Sequence, residues 1–248
     1  MLAAQAGGKP RAEMDVAETR EAMRAGRRWQ QAPADVDSED AVINGVPVRI
    51  YNPTGALTVL YFHGGRFFSG DLESHDWPLR DLAALSDARI CAVDYRLAPE
   101  HPYPAAVDDA LAVRDALQPS VVMGDSAGGY LAARVADAAK LAVLIYPMLD
   151  ATCSSQSYKD FWQSPLPNGF DMHRGWQLWA GEPPFPVVDA ETLLITAGHD
   201  ALLDEALTLR AAEHVHYPDM HHGFFTQTKL ARSRELIALI AARLRSVY

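Results

Sequence analysis

VVMGDSAGGYLAA, residues 121–133, decides the architecture. It opens as a β-branched apolar run of strand type and closes as an alanine-rich stretch of helix type. Between them stands Gly124-Asp125-Ser126-Ala127-Gly128, a G-x-S-x-G pattern. A serine on a sharp strand-to-helix turn has its hydroxyl lifted clear of the sheet, and the flanking glycines let neighbouring backbone approach. The amino end of the helix adds positive potential beside it. A glycine-rich turn with an incidental serine would require neither the strand nor the helix. Ser126 is the candidate nucleophile.

Outward from this turn the same alternation continues. Short apolar runs of strand type occupy 56–62, 89–95, 120–124, 141–147, 192–198 and 214–218, and 41–51 carries an Asn-Gly hairpin signal. Runs this short and continuous fit strands buried on both faces. Helical patterns fall between most of them, at 76–85, 104–117, 127–139, 204–213 and 231–245. The reading is one α/β domain, a mostly parallel sheet covered by helices on both faces and opened by an antiparallel hairpin. Residues 150–186 break the rhythm with Phe161, Trp162, Phe170, Trp176, Trp179 and five prolines, and read as a lid insertion. Residues 1–40 form an N-terminal helical cap, and 41–149 with 187–248 form the core.

With 248 residues the chain is long enough to hold a desolvated site without disulfides. A net charge of −10 argues against nucleic acid, whose phosphates need a basic face. No run approaches the ~18 apolar residues of a membrane span, and the first residues lack the apolar core of a signal peptide. Two cysteines, Cys91 and Cys153, make neither a disulfide framework nor a metal motif, so a reduced cytoplasmic setting is expected. Nine histidines include no H-x-x-x-H helix pattern, so no metal is expected. His214 and His216 read as surface or pairing residues.

A serine hydroxyl needs a base, and the base an orienting carboxylate. On a sheet of this kind the expected order is Ser, acid, His. ITAGHDALLDE (195–205) offers Asp200 and Asp204. Asp200 lies nearer the strand end, where functional groups collect, and Asp204 suits a helix start. YPDMHHGFF (217–225) offers His221 and His222, and spacing leaves both open. HGGRFF (63–68) then supplies amides for an oxyanion, with Ala127, the residue after the serine, as another donor. Arg66 takes the place of a third glycine. It keeps its N–H, and it is strained only if the position is left-handed.

HGGRFFSGDLESHD, DYRLAPEHPYPAAVDDA, GDSAGGYLAA, LIYPMLD, TAGHDALLDE and YPDMHHGFF together resemble the bacterial hormone-sensitive-lipase-like esterases of the α/β-hydrolase fold. The resemblance runs over nearly the whole chain. It implies Ser126 as nucleophile, Asp200 as acid, His222 as base, and N–H groups of Gly65, Arg66 and Ala127 around the oxyanion. It implies hydrolysis of short- to medium-chain acyl esters without a cofactor. The sequence itself leaves the oligomeric state open, a homodimer included. The chain departs from the pattern at Arg66, at Tyr130 where Asn is common, and in its short connections. An arylformamidase-type hydrolase, whose loop also lacks the third glycine, is the nearest rival. A binding protein with a dead site is the rival from another class.

Four further readings complete the expectation. His63 braces the loop by hydrogen bonding. Arg96 and Glu100 are structural partners behind the site. Phe67, Tyr130 and the aromatics of 150–186 either line the substrate pocket or pack as core. An inward Arg66 would favour esters bearing a carboxylate, and an outward one would not.

Overall fold

Side-chain alternation along the strands builds the core on two faces at once. In β3 (Thr58–Phe62), Leu60 and Phe62 join one buried cluster while Val59 and Tyr61 join the other. The computed structural model describes residues 13–164, 168–181 and 183–247. Its sheet runs β1-β2-β4-β3-β5-β6-β7-β8. The hairpin of β1 (Ser38–Ile43) and β2 (Val46–Tyr51) pairs antiparallel onto β4 (Arg89–Val93). From β4 through β3, β5 (Val121–Asp125), β6 (Leu141–Ile145), β7 (Glu191–His199) and β8 (Glu213–His221), every pairing is parallel.

Helices cover both faces. On one side lie α2 (Leu72–Ser86) and α8 (Ala231–Arg245), whose Leu236, Ile237, Ile240, Ala241 and Leu244 form a single buried stripe. On the other lie α3 (Ala105–Leu117) and α4 (Ala127–Arg134). Helix α2 begins four residues before the predicted start because Asp71 caps it: its carboxylate accepts from Ser74 N at 2.7 Å, and Ser74 Oγ accepts from Asp71 N at 3.0 Å.

The helix predicted over 204–213 is a correction. Helix α7 spans only Leu203–Ala206. Thr208 closes the helix end, its N and Oγ1 both donating to Glu205 O at 3.2 and 2.6 Å. The sheet then claims the residues beyond: Ala212 N donates to Thr192 O at 3.0 Å and Glu213 pairs with Leu193.

In the segment read as an N-terminal cap the structure has α1 (Val16–Ala25), begun by an Asp15–Glu18 capping box; residues 1–12 lie outside the described residues. Arg20 ties α1 to the core, donating to Phe68 O at 2.8 Å and Ala98 O at 2.9 Å, with Glu100 paired to it at 2.6 Å. Arg96 pairs with Asp109 at 2.8 Å. Within the stretch read as a lid, α5 (Gln156–Asp160) and α6 (Gly169–Trp179) send Tyr158, Met172, Trp176 and Trp179 into the same cluster as Phe67 and Tyr130; residues 165–167 and 182 lie outside the described ones.

Candidate active site

Strand β5 ends at Asp125, and the chain reverses at Ser126 with φ +55° and ψ −119°. A non-glycine residue there stores roughly 1–3 kcal/mol of strain and persists only if its neighbours fix it. They do. Ser126 N donates to Ile145 O at 2.9 Å, and Ser126 O accepts from Gly129 N at 2.9 Å and Met148 N at 3.0 Å. Helix α4 then passes so close to β3 that a Cβ at Gly128 would stand 2.0 Å from Phe62 O. Only glycine fits.

Three loops at the carboxyl end of the sheet bring their side chains to this turn. His222 Nε2 lies 2.9 Å from Ser126 Oγ, and His222 Nδ1 lies 2.8 Å from Asp200 Oδ2. The other carboxylate oxygen of Asp200 accepts from Leu202 N at 2.9 Å. Ser126 and His222 are each 4% exposed and Asp200 1%. Tyr146 packs on the imidazole with ring centroids 4.6 Å apart. His221 turns away, its Nδ1 meeting His222 O at 2.7 Å. Asp204 also serves elsewhere, accepting from Ser157 N at 2.7 Å and so tying α5 to α7. Chemically, Nε2 can take the serine proton while the carboxylate holds Nδ1–H in place.

The loop after β3 lies against Asp125, the residue before Ser126. Gly64 N donates to Asp125 Oδ1 at 2.9 Å, the oxygen that also accepts from Tyr61 OH at 2.5 Å. His75 Nε2 stands 3.4 Å away from that oxygen. Burial works to raise the pKa of Asp125, yet His75, Tyr61 and the Gly64 amide together hold it below its ordinary value. The sequence reading missed this Asp125–His75–Tyr61 cluster. Asp125 fills the variable position of G-x-S-x-G, where the pattern attaches no meaning to charge. His63 donates from Nδ1 to Gly64 O at 2.9 Å and stacks on Tyr95 at 4.3 Å. Burial, reinforced by His75, drives its pKa down to about 4, so it is neutral at pH 7.

Gly65 has φ +140°, and Arg66 and Phe67 follow at +57° and +63°. The left-handed alternative left open for Arg66 is the one realised. Ala127 supplies the first amide of α4, one of those with no intrahelical acceptor. The Arg66 side chain, 11% exposed, lies with Nη1 3.7 Å from Asp171 Oδ1 and its Cζ 5.0 Å over the ring of Phe68. Asp171 already meets its charge. Phe67 is fully buried, stacked on Trp179 at 3.8 Å and edge-on to Tyr130 at 5.8 Å. Tyr130 OH donates to Pro184 O at 2.8 Å. Phe67 and Tyr130 thus belong to an aromatic wall shared by the loop, α4 and α6.

Comparison with known proteins identifies the fold family. The family model for the alpha/beta hydrolase fold matches residues 59–226. The chain is 36% identical over 211 residues to the esterase LipI of Mycobacterium tuberculosis, covering 68% of this chain and 66% of LipI. To the carboxylic ester hydrolase LipN of the same organism it is 32% identical over 292 residues, covering 94% of this chain and 78% of LipN. That alignment is longer than the 248 residues here, so LipN carries insertions relative to this chain. Among solved structures, an esterase of the bacterial hormone-sensitive lipase family superposes with a TM-score of 0.87 at 25% identity, covering 99% of this chain and 95% of that one.

Proposed function

Because the chain belongs to the α/β-hydrolase fold family, we propose that it is a serine carboxylesterase acting on short- to medium-chain acyl esters through an acyl-enzyme. The observation that carries the reading is the continuous relay from Ser126 Oγ through His222 to Asp200, with its two contacts at 2.9 and 2.8 Å.

In the first half-reaction His222 Nε2 takes the hydroxyl proton as Ser126 Oγ attacks the ester carbonyl carbon. The negative charge on the carbonyl oxygen is met by N–H groups of Gly65, Arg66 and Ala127. Each such donor contributes about 2.7–4 kcal/mol of transition-state stabilisation. Asp200 keeps the imidazole in the tautomer that accepts at Nε2 and stabilises the imidazolium. The tetrahedral adduct collapses, the C–O bond to the alcohol breaks, and His222 returns the proton to the departing oxygen. Water repeats the sequence on the acyl-enzyme and regenerates Ser126 with release of the acid. No step calls for a cofactor or metal.

The reading includes a reduced, cytoplasmic setting, supported by two free cysteines. Among the described residues no helix is long and apolar enough to cross a membrane. It also includes a homodimer, which light scattering tests against the 27.2 kDa of a single chain. Treatment with an aryl alkylphosphonate followed by peptide mass mapping tests the chemistry. A single adduct on Ser126 with loss of esterase turnover is expected, and an unmodified Ser126 in an active enzyme would overturn the reading. Parallel assays with an aryl acetate and an aryl formamide separate the esterase from the formamidase, the acetate being turned over faster if the proposal holds.

A further inference from the structure

Two consecutive non-glycine residues, Arg66 and Phe67, hold positive φ in the loop that carries the proposed oxyanion donors. A backbone of this kind persists only where its surroundings over-determine it. Much of what surrounds it comes from α6. Asp171, Gly175 and Trp179 are spaced four residues apart and so share one face of that helix. Gly175 abuts Arg66 directly: a Cβ there would lie 2.7 Å from Arg66 Cβ and 2.8 Å from Arg66 O. One turn earlier, buried Asp171 faces the Arg66 guanidinium at 3.7 Å. One turn later, Trp179 lies flat on the ring of Phe67, with an interplanar angle of 7°, and Trp176 tilts against the same ring at 5.0 Å.

On the loop side the same two residues are tethered again. Arg66 Nη2 lies 3.4 Å from Ser69 Oγ, which donates to Gly65 O at 2.8 Å. Phe67 O accepts from Ala98 N at 2.9 Å. A third glycine would leave α6 without the Arg66 side chain to hold. With arginine in its place, the lid helix and the oxyanion loop become one mechanical unit.

We propose that α6 is the template of the oxyanion hole, with Asp171 and Gly175 as positioning residues that act through Arg66. With α6 seated against Arg66 and Phe67, the amides of Gly65 and Arg66 are held facing the reacting carbonyl. The inference rests on the assignment of these amides as oxyanion donors in a serine esterase.

The test compares wild type with Gly175→Ala, Asp171→Asn, Arg66→Gly and the Arg66→Gly/Gly175→Ala double variant. Readouts are kcat and KM on an aryl acetate and the inhibition constant of an aryl trifluoromethyl ketone, whose serine adduct carries an oxyanion. Gly175→Ala is expected to lower kcat about 10- to 100-fold with KM within twofold, and to weaken the ketone by the same factor. Asp171→Asn, close to isosteric, is expected to lower kcat about 3- to 10-fold in the same pattern, and it carries the test should Gly175→Ala fail to fold. Added to Arg66→Gly, the alanine at 175 should cost less than it does alone, because the opposing Cβ is gone and the carbonyl that remains belongs to a glycine free to rotate away.

Folded Gly175→Ala and Asp171→Asn enzymes with unchanged kcat and ketone affinity would overturn the proposal, as would strictly additive effects in the double variant. Failure of the underlying esterase reading looks different. There the ketone does not inhibit the wild type at all.

Discussion

At the residue scale, the strained turn at Ser126, the proposed nucleophile, was legible because its pattern carries geometry. A serine between two glycines at a strand-to-helix junction implies a backbone few side chains accept, and Ser126 has φ +55°. The base was not legible from spacing, since His221 and His222 are neighbours. The end of β8 separates them. His221 is the last residue of the strand and its ring meets the His222 carbonyl, whereas His222 lies past the strand, just before the left-handed Gly223 at φ +82°. Arg66 was legible as a departure but not in its consequence, because the partner that meets its charge, Asp171, lies 105 positions away in sequence. The acid gives a direct prediction at this scale. Asp200→Asn keeps the shape but favours the wrong imidazole tautomer, so kcat on an aryl acetate should fall about 10⁴-fold. Steady-state kinetics check it, and near-wild-type turnover would count against the relay.

At the element scale, the strands were read to within three residues at each end because parallel strands buried on both faces are short, continuous apolar runs. Helix boundaries were less legible. Helix α2 was extended by a cap at Asp71 that hydrophobic periodicity does not register, and α7 was cut short by Thr208, which closes its end, and by the pairing of Ala212 and Glu213 with β7. Local propensity sees neither. The junction of α4 with β3 tolerates no added side chain, since a methyl group at residue 128 meets the Phe62 carbonyl at 2.0 Å. Gly128→Ala should destabilise the fold by at least about 1–3 kcal/mol through overpacking. Urea titration measures it as a lowered midpoint with an unchanged slope; an unaltered midpoint would mean that α4 can shift without cost.

At the scale of the whole molecule, residues 126, 200 and 222 meet because β5, β7 and β8 run parallel and end at one rim of the sheet. The same packing buries His63 and lowers its pKa to about 4, against an ordinary 6.5. The unfolded chain therefore binds more protons at this residue between those values, so stability is full above pH 6.5 and falls as the pH drops towards 4. The shift corresponds to about 3 kcal/mol. His63→Asn should flatten that part of the profile of urea stability against pH, and an unchanged slope would assign the acid sensitivity to other groups. The central claim is that one hydroxyl, activated across this rim, carries the acyl group. Turnover of an aryl acetate by Ser126→Ala tests it most directly. A fall of at least about 10⁴-fold in kcat in a folded protein is the expected result, and hydrolysis at the wild-type rate would contradict the account.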